Sequence, residues 1–113
     1  MGITQENQNG WAVLKGAYLP NANLKLACLV KADLNRTILH HTNLKYANLK
    51  YANLEEANFW EANLEGADLS SAKNLKQKQI EQANGDKTTK LPDYLRMQEH
   101  WKSSPETQDN FES

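Results

Sequence analysis

Ala47-Asn48-Leu49-Lys50-Tyr51-Ala52-Asn53-Leu54-Glu55-Glu56-Ala57-Asn58-Phe59-Trp60-Glu61-Ala62-Asn63-Leu64 is the stretch that decides the fold. Read in fives, it repeats a small residue, an Asn, a large apolar residue and two unconstrained positions. Working outward, the large residue recurs at Leu14, Leu19, Leu24, Leu29, Leu34, Leu39 and Leu44 before this stretch closes the gap, and at Leu69 after it. Two residues before each stands Ala or Thr: Ala12, Ala17, Ala22, Ala27, Ala32, Thr37 and Thr42 in the first half, Ala67 at the end. Internal periodicity fixes architecture before any local propensity does.

A period of five fits neither ordinary element. On an α-helix of about 3.6 residues per turn, five steps advance roughly 140°, so the leucines would scatter around the axis. On a flat strand side chains alternate, and an odd step would put successive leucines on opposite faces. The apolar set gains a common side only if the chain turns a corner once per repeat. Each repeat is then one side of a closed coil, with Ala and Leu both inside. Four sides make a square coil of about 20 residues, and coils stack at about 4.8 Å. The beat over residues 12–71 gives three coils, a stack roughly 14 Å tall. Leu24, Leu34, Leu44, Leu49, Leu54, Phe59 and Leu64 are the expected core, with Ala filling the space that a second large side chain could not enter. Asn or Asp stands before the large residue at Asn23, Asp33, Asn43, Asn48, Asn53, Asn58, Asn63 and Asp68. These side chains hydrogen-bond nearby backbone in turns, and stacked in register they can form ladders along the tube.

Runs such as Ala47-Asn48-Leu49-Lys50-Tyr51, Ala52-Asn53-Leu54-Glu55-Glu56 and Ala67-Asp68-Leu69-Ser70-Ser71 resemble the A(D/N)LXX unit of the pentapeptide repeat proteins. The resemblance implies an all-β solenoid, a right-handed quadrilateral β-helix of about three coils, capped by short C-terminal α-helices. Handedness and turn type are implied by the family, not by the spacing. Val13, Tyr18, Cys28 and Ile38 replace Asn or Asp, and Thr37 and Thr42 replace Ala, which leaves the local turn type open. Gln79-Ile80-Glu81-Gln82-Ala83 with Lys90-Leu91-Pro92 is similar to the tail of many cyanobacterial members.

The chain of 113 residues, net charge −1 and pI near 6.3, supports one domain. It gives no global electrostatic argument for nucleic acid or an anionic membrane. Cys28 is the single cysteine, which excludes an internal disulfide. No apolar run approaches the ~18 residues of a spanning helix, and residues 1–10 hold no apolar signal-peptide core. These features predict a cytoplasmic protein. Along the chain they predict a polar N-terminal segment over residues 1–11 with Trp11 as a lid on the first coil, the solenoid over 12–71, a helical cap over 72–101 and a disordered tail over 102–113. In the cap, residues 74–83 read as a helix with Gly85 as its stop. An extended crossing at residues 90–95 and a short helix ending about Trp101 follow. A solenoid needs such covering because a bare last coil exposes backbone and apolar surface.

Residues 20 apart become vertical neighbours, which turns the sequence into columns. Arg36 falls beside Glu56, His41 beside Glu61, Lys45 beside Glu65, and His40 is placed to stack on Trp60. Through Leu54 the repeats carry six cations against Asp33 alone, and residues 55–71 carry five acids and no cation. The tube therefore reads as positive at its start and negative toward its end. That suits either a dipolar partner or simple attraction between coils.

His40, His41 and Glu61 lack a third ligand, so no metal or cofactor is expected. Cys28 has no base in its column, the glutamates stand on a convex surface with no cleft to shift a pKa, and no glycine-rich phosphate loop is present. An enzyme is not expected. Tyr46, Tyr51 and Trp60, with His40, form the candidate partner-binding surface, since aromatics are enriched at interface hot spots; the alternative is that they shield neighbouring backbone. The expected function is a non-enzymatic protein-interaction or scaffold module for an unidentified protein partner, with no nucleic acid and no membrane. Two alternatives stay open: a DNA mimic that binds DNA gyrase or topoisomerase, as some family members do, and a self-assembling structural protein, monomeric or an end-to-end homodimer.

Overall fold

The computed structural model describes residues 5–6 and 11–103. Residues 1–4, 7–10 and 104–113, which hold most of the N-terminal segment and of the tail, lie outside the described residues.

Backbone pairing shows a four-sided stack. Parallel bridges run Val13–Asp33–Asn53–Lys73 on the first side, Tyr18–Ile38–Asn58 on the second, Asn23–Asn43–Asn63–Asn84 on the third and Cys28–Asn48–Asp68–Lys90 on the fourth. Within the repeats every step is 20 residues, four sides of five. Each side carries only one bridged residue per coil, so among the described residues the regular strands are confined to β1 (Gln5–Glu6) and β2 (Ala12–Val13), an antiparallel pair at the start.

The repeat explains the pairing. In each side the central amide reaches back one coil, as Asp33 N does to Ala12 O at 2.9 Å, while the Leu amide reaches forward, as Leu34 N does to Asn53 O at 2.9 Å. The Ala amide closes the corner onto the preceding Leu, as Ala57 N does to Leu54 O at 3.1 Å. The fifth residue sits in the left-handed region at every corner from Gly16 to Gly66, with φ between 56° and 71°, and Ser71 alone departs. Positive φ at the second central residue of a hydrogen-bonded corner is the type II pattern. The Asn and Asp side chains form no ladder within the repeats. Each instead accepts the amide two residues on, as Asn48 Oδ1 does from Lys50 N at 3.1 Å and Asn63 Oδ1 from Glu65 N at 2.9 Å. This Asx geometry fixes the corner from within the repeat.

Leu34, Leu39, Leu44, Leu49, Leu54, Phe59, Leu64 and Leu69 are fully buried on the axis. Leu24, expected in the core, is only partly buried. It lies in the first coil, where Ala12, Ala17, Ala22 and Ala27 are also partly exposed and no further coil covers them among the described residues. Thr37 and Thr42 occupy Ala positions without penalty: their hydroxyls donate to Leu14 O and Leu19 O, each at 2.8 Å. Trp11 heads the column Trp11–Lys31–Tyr51, with the Lys31 ammonium 4.4 Å over its ring. At this end the backbone of the first side pairs with β1.

The stack runs past Ser71. Lys73, Asn84 and Lys90 continue three sides into a partial fourth coil, with loops that lengthen the step to 21 and then 22 residues. The second side is taken by α1 (Gln77–Glu81), shorter than the helix expected over residues 74–83. Its start is delayed by Asn74, which is left-handed at φ 63°, and its end is set by Ala83 and Asn84 returning to the coil. Gln79 does there what a fourth strand would do: its Nε2 donates to Leu54 O and Ala57 O, both at 2.8 Å, and its Oε1 accepts from Lys76 N at 2.8 Å. Gly85 is not a left-handed helix stop. It lies against the Trp101 ring, where a Cβ would come within 2.7 Å of Cζ3. Trp101, on α2 (Glu99–Lys102), is buried, and Leu91 and Leu95 pack against the core, which pins the last segment.

Candidate functional site

The fourth and fifth residues of each repeat stand at the corners of the tube, and none of them is fully buried. Tyr46, Tyr51 and Trp60 are all about half exposed, at 51%, 48% and 47%. They do not share a face. Trp60 stands at the corner between the second and third sides, Tyr46 between the third and fourth, and Tyr51 between the fourth and first. Tyr46 is partly structural: its ring covers Gly66 in the next coil, and Lys45 Nζ approaches it at 5.4 Å. Tyr51 leans over the first side and, with Trp11, Lys31, Asp33, Asn53 and Lys73, lines a groove of about 460 Å³.

His40 is half-buried, and its Nε2 is buried without a partner. It does not stack flat on Trp60. The rings meet edge-on, 6.0 Å apart at 71°, and His41 lies closer, at 5.1 Å and 84°. His41 Nδ1 is also 3.9 Å from Glu61 Oε1. Among the described residues no cluster of three or more His, Cys, Asp or Glu is placed to hold a metal ion. No helix there is long and apolar enough to cross a membrane.

The expected column pairs form. Arg36 Nε meets Glu56 Oε1 at 3.3 Å and Lys45 Nζ meets Glu65 Oε1 at 3.5 Å; Lys50 Nζ also meets Asp68 Oδ2 at 3.7 Å, a pair 18 residues apart that the columns do not give. Arg36–Glu56 is exposed and the other two pairs are partly exposed, so each is worth about 0–1 kcal/mol. Asp68 is the carboxylate held below its ordinary range: partial burial pushes its pKa up, and the Ser70 hydroxyl (2.6 Å), the Ser70 amide (3.0 Å), Lys50 and Lys90 together outweigh that. The charge pattern needs correction. The third coil is acidic, but the cap that continues the stack carries Lys73, Lys76, Lys78, Lys87 and Lys90. The acids are sandwiched between basic layers, so the far end is not a negative pole.

Two exposed side chains were not picked out by the repeat reading. Tyr18, 75% exposed, is the most open large apolar residue among the described residues, and its signal was present: it fills a central position that Asn or Asp usually holds. Tyr94, 62% exposed, donates its hydroxyl to Leu75 O at 2.7 Å, which ties the cap together. No periodicity marks it.

The family profile of pentapeptide repeats, in 8 copies, matches residues 10–45, 37–73 and 47–84. No curated protein matches. Among solved structures the chain is similar to a pentapeptide repeat protein, Rfr23, from the cyanobacterium Cyanothece 51142, with 34% identity and a TM-score of 0.39. The match covers 70% of this chain and 63% of that one, so this chain spans less than two thirds of that protein's length. The family's fold is the right-handed quadrilateral β-helix, in agreement with the four-sided bridges. The twelve-fold beat, the left-handed corners and the profile match together make this chain a member of the pentapeptide repeat family.

Proposed function

We propose that the chain is a non-enzymatic protein-interaction module whose binding surface is made of side chains exposed at its corners and, at Tyr18, on its second side. The observation that carries this is a mismatch between need and use. The core is complete with Ala, Thr, Leu and Phe, yet large apolar side chains stand exposed at Tyr18, Leu26, Tyr51 and Trp60. Large exposed aromatics supply contact area at low entropic cost and are enriched at interface hot spots. Leu26 is costly twice over, being 68% exposed and held at φ 65°. Tyr46, Tyr51, Trp60 and His40 remain the candidate surface. Because they lie on different corners, a flat partner engages one corner at a time.

The layered charge weighs against a DNA mimic, since mimicry needs a long, continuously negative rod. The test is quantitative capture of partners by the folded wild-type protein, compared separately with Tyr51→Ala, Trp60→Ala and Tyr18→Ala. Loss of one specific partner in one variant, with thermal stability retained, supports the module and names its corner or side. Capture that is indifferent to all three refutes this surface.

A further inference from the structure

The first coil has an open edge on its second, third and fourth sides, and the third is the one whose large core residue, Leu24, is left partly exposed, whereas Leu19 and Leu29 are buried. Asn43 N and Asn63 N each donate to the coil before them, at 2.9 Å to Ala22 O and Thr42 O. Asn23 N, their counterpart in the first coil, has no backbone partner among the described residues, as is also true of Tyr18 N and Cys28 N on the flanking sides. Beside it Leu24 and Ala22 are partly exposed, whereas Leu44, Leu64 and Ala62 are fully buried. Leu26 is exposed at the next corner. The ion pairs of the described residues engage Arg36, His41, Lys45, Lys50 and Lys102, and neither Lys15 nor Lys25. Residues 12–31 carry three lysines and no acid. A free amide edge, uncovered apolar surface and unpaired positive charge therefore coincide on residues 22–26.

The edge also shows what it accepts. On the first side, across the tube, the chain's own extended segment Gln5–Glu6 pairs antiparallel with Ala12–Val13. We infer that the third side of the first coil, residues 22–26, is a strand-addition site for an extended partner segment that alternates acidic and apolar residues. Asn23 N donates to a carbonyl of that segment. Its apolar side chains turn inward over Leu24 and Ala22, and its carboxylates turn outward to Lys25, because strand side chains alternate. Charge selects this occupant over a second copy of the chain: two first coils brought together would face lysines with lysines. The inference rests on the reading of the chain as an interaction module but uses a surface separate from Tyr51 and Trp60, so either can fail alone.

The test is a titration of the isotope-labelled protein with a synthetic peptide of alternating Glu and Val, against a peptide of alternating Lys and Val. The expected result is slowed hydrogen exchange at Asn23 and shifts confined to residues 22–26 with the acidic peptide only. Lys25→Glu, an exposed change that leaves the fold intact, should weaken binding roughly tenfold. Absence of binding, equal binding of both peptides, or affinity unchanged in Lys25→Glu would overturn the inference. So would protection of Asn23 without peptide in a dimeric sample, which would assign the edge to a second copy.

Discussion

The ring of Tyr46 covers Gly66 one coil further along, so closely that a Cβ on the glycine would stand 2.5 Å from Tyr46 Cε1. Gly66 is also left-handed, at φ 70°. Gly66→Ala should therefore destabilise the protein by about 2 kcal/mol, through backbone strain and overlap with the ring. Adding Tyr46→Ala should recover the overlap part but not the strain, giving a non-additive pair in a double-mutant cycle followed by denaturant unfolding. Gly16, with nothing within 4 Å of its Cβ position, should show the strain alone.

Gln79 joins α1 to the third coil by two hydrogen bonds, to Leu54 O and Ala57 O, and caps its own helix with a third, accepted from Lys76 N. Gln79→Ala leaves Leu54 O and Ala57 O without those donors and should cost about 1–3 kcal/mol. Gln79→Glu should cost more at neutral pH, since a carboxylate then faces two carbonyl oxygens. Part of that loss should return on acidification, when the protonated acid can donate. Thermal melts across pH separate the two variants.

Asp68 makes the fold weakly acid-sensitive. Its folded pKa is depressed, so the unfolded chain takes up the proton first as pH falls. Its stabilising contribution is complete above the ordinary aspartate range and is lost as pH drops below that range through the folded value. The difference in melting temperature between wild type and Asp68→Asn should be constant near neutrality and shrink only in that acidic window.

The inside of the tube was legible because a five-residue beat has one geometric solution that buries every large residue together. The beat also located Thr37 and Thr42, though not the hydroxyl bonds that let them stand where Ala usually does. It overreached at Leu24, since periodicity records which residues face inward and not which coil lacks a neighbour. The cap was less legible. Its stack continues through Lys73, Asn84 and Lys90 with steps of 21 and 22 residues, and a changed step erases the period that marks the fold. Gln79 and Gly85 act through single contacts, to Leu54 and Ala57 and to Trp101, that leave no repeat in the sequence. At the surface, columns 20 apart gave the pairs Arg36–Glu56 and Lys45–Glu65, but not that the aromatic residues occupy different corners or that the cap reverses the charge gradient.

A closed four-sided tube with its leucines on the axis makes one demand above all: adjacent positions 44 and 45 must differ completely in tolerance. Leu44 is fully buried, and Lys45 reaches solvent beside Glu65. The direct measurement is equilibrium unfolding of Leu44→Asp and Lys45→Ala, with circular dichroism and hydrogen exchange as readouts. The tube predicts that Leu44→Asp abolishes cooperative folding, because an unpaired carboxylate on the axis has no partner, while Lys45→Ala stays within about 1 kcal/mol of wild type. A cooperatively folded Leu44→Asp protein of near wild-type stability would contradict the arrangement.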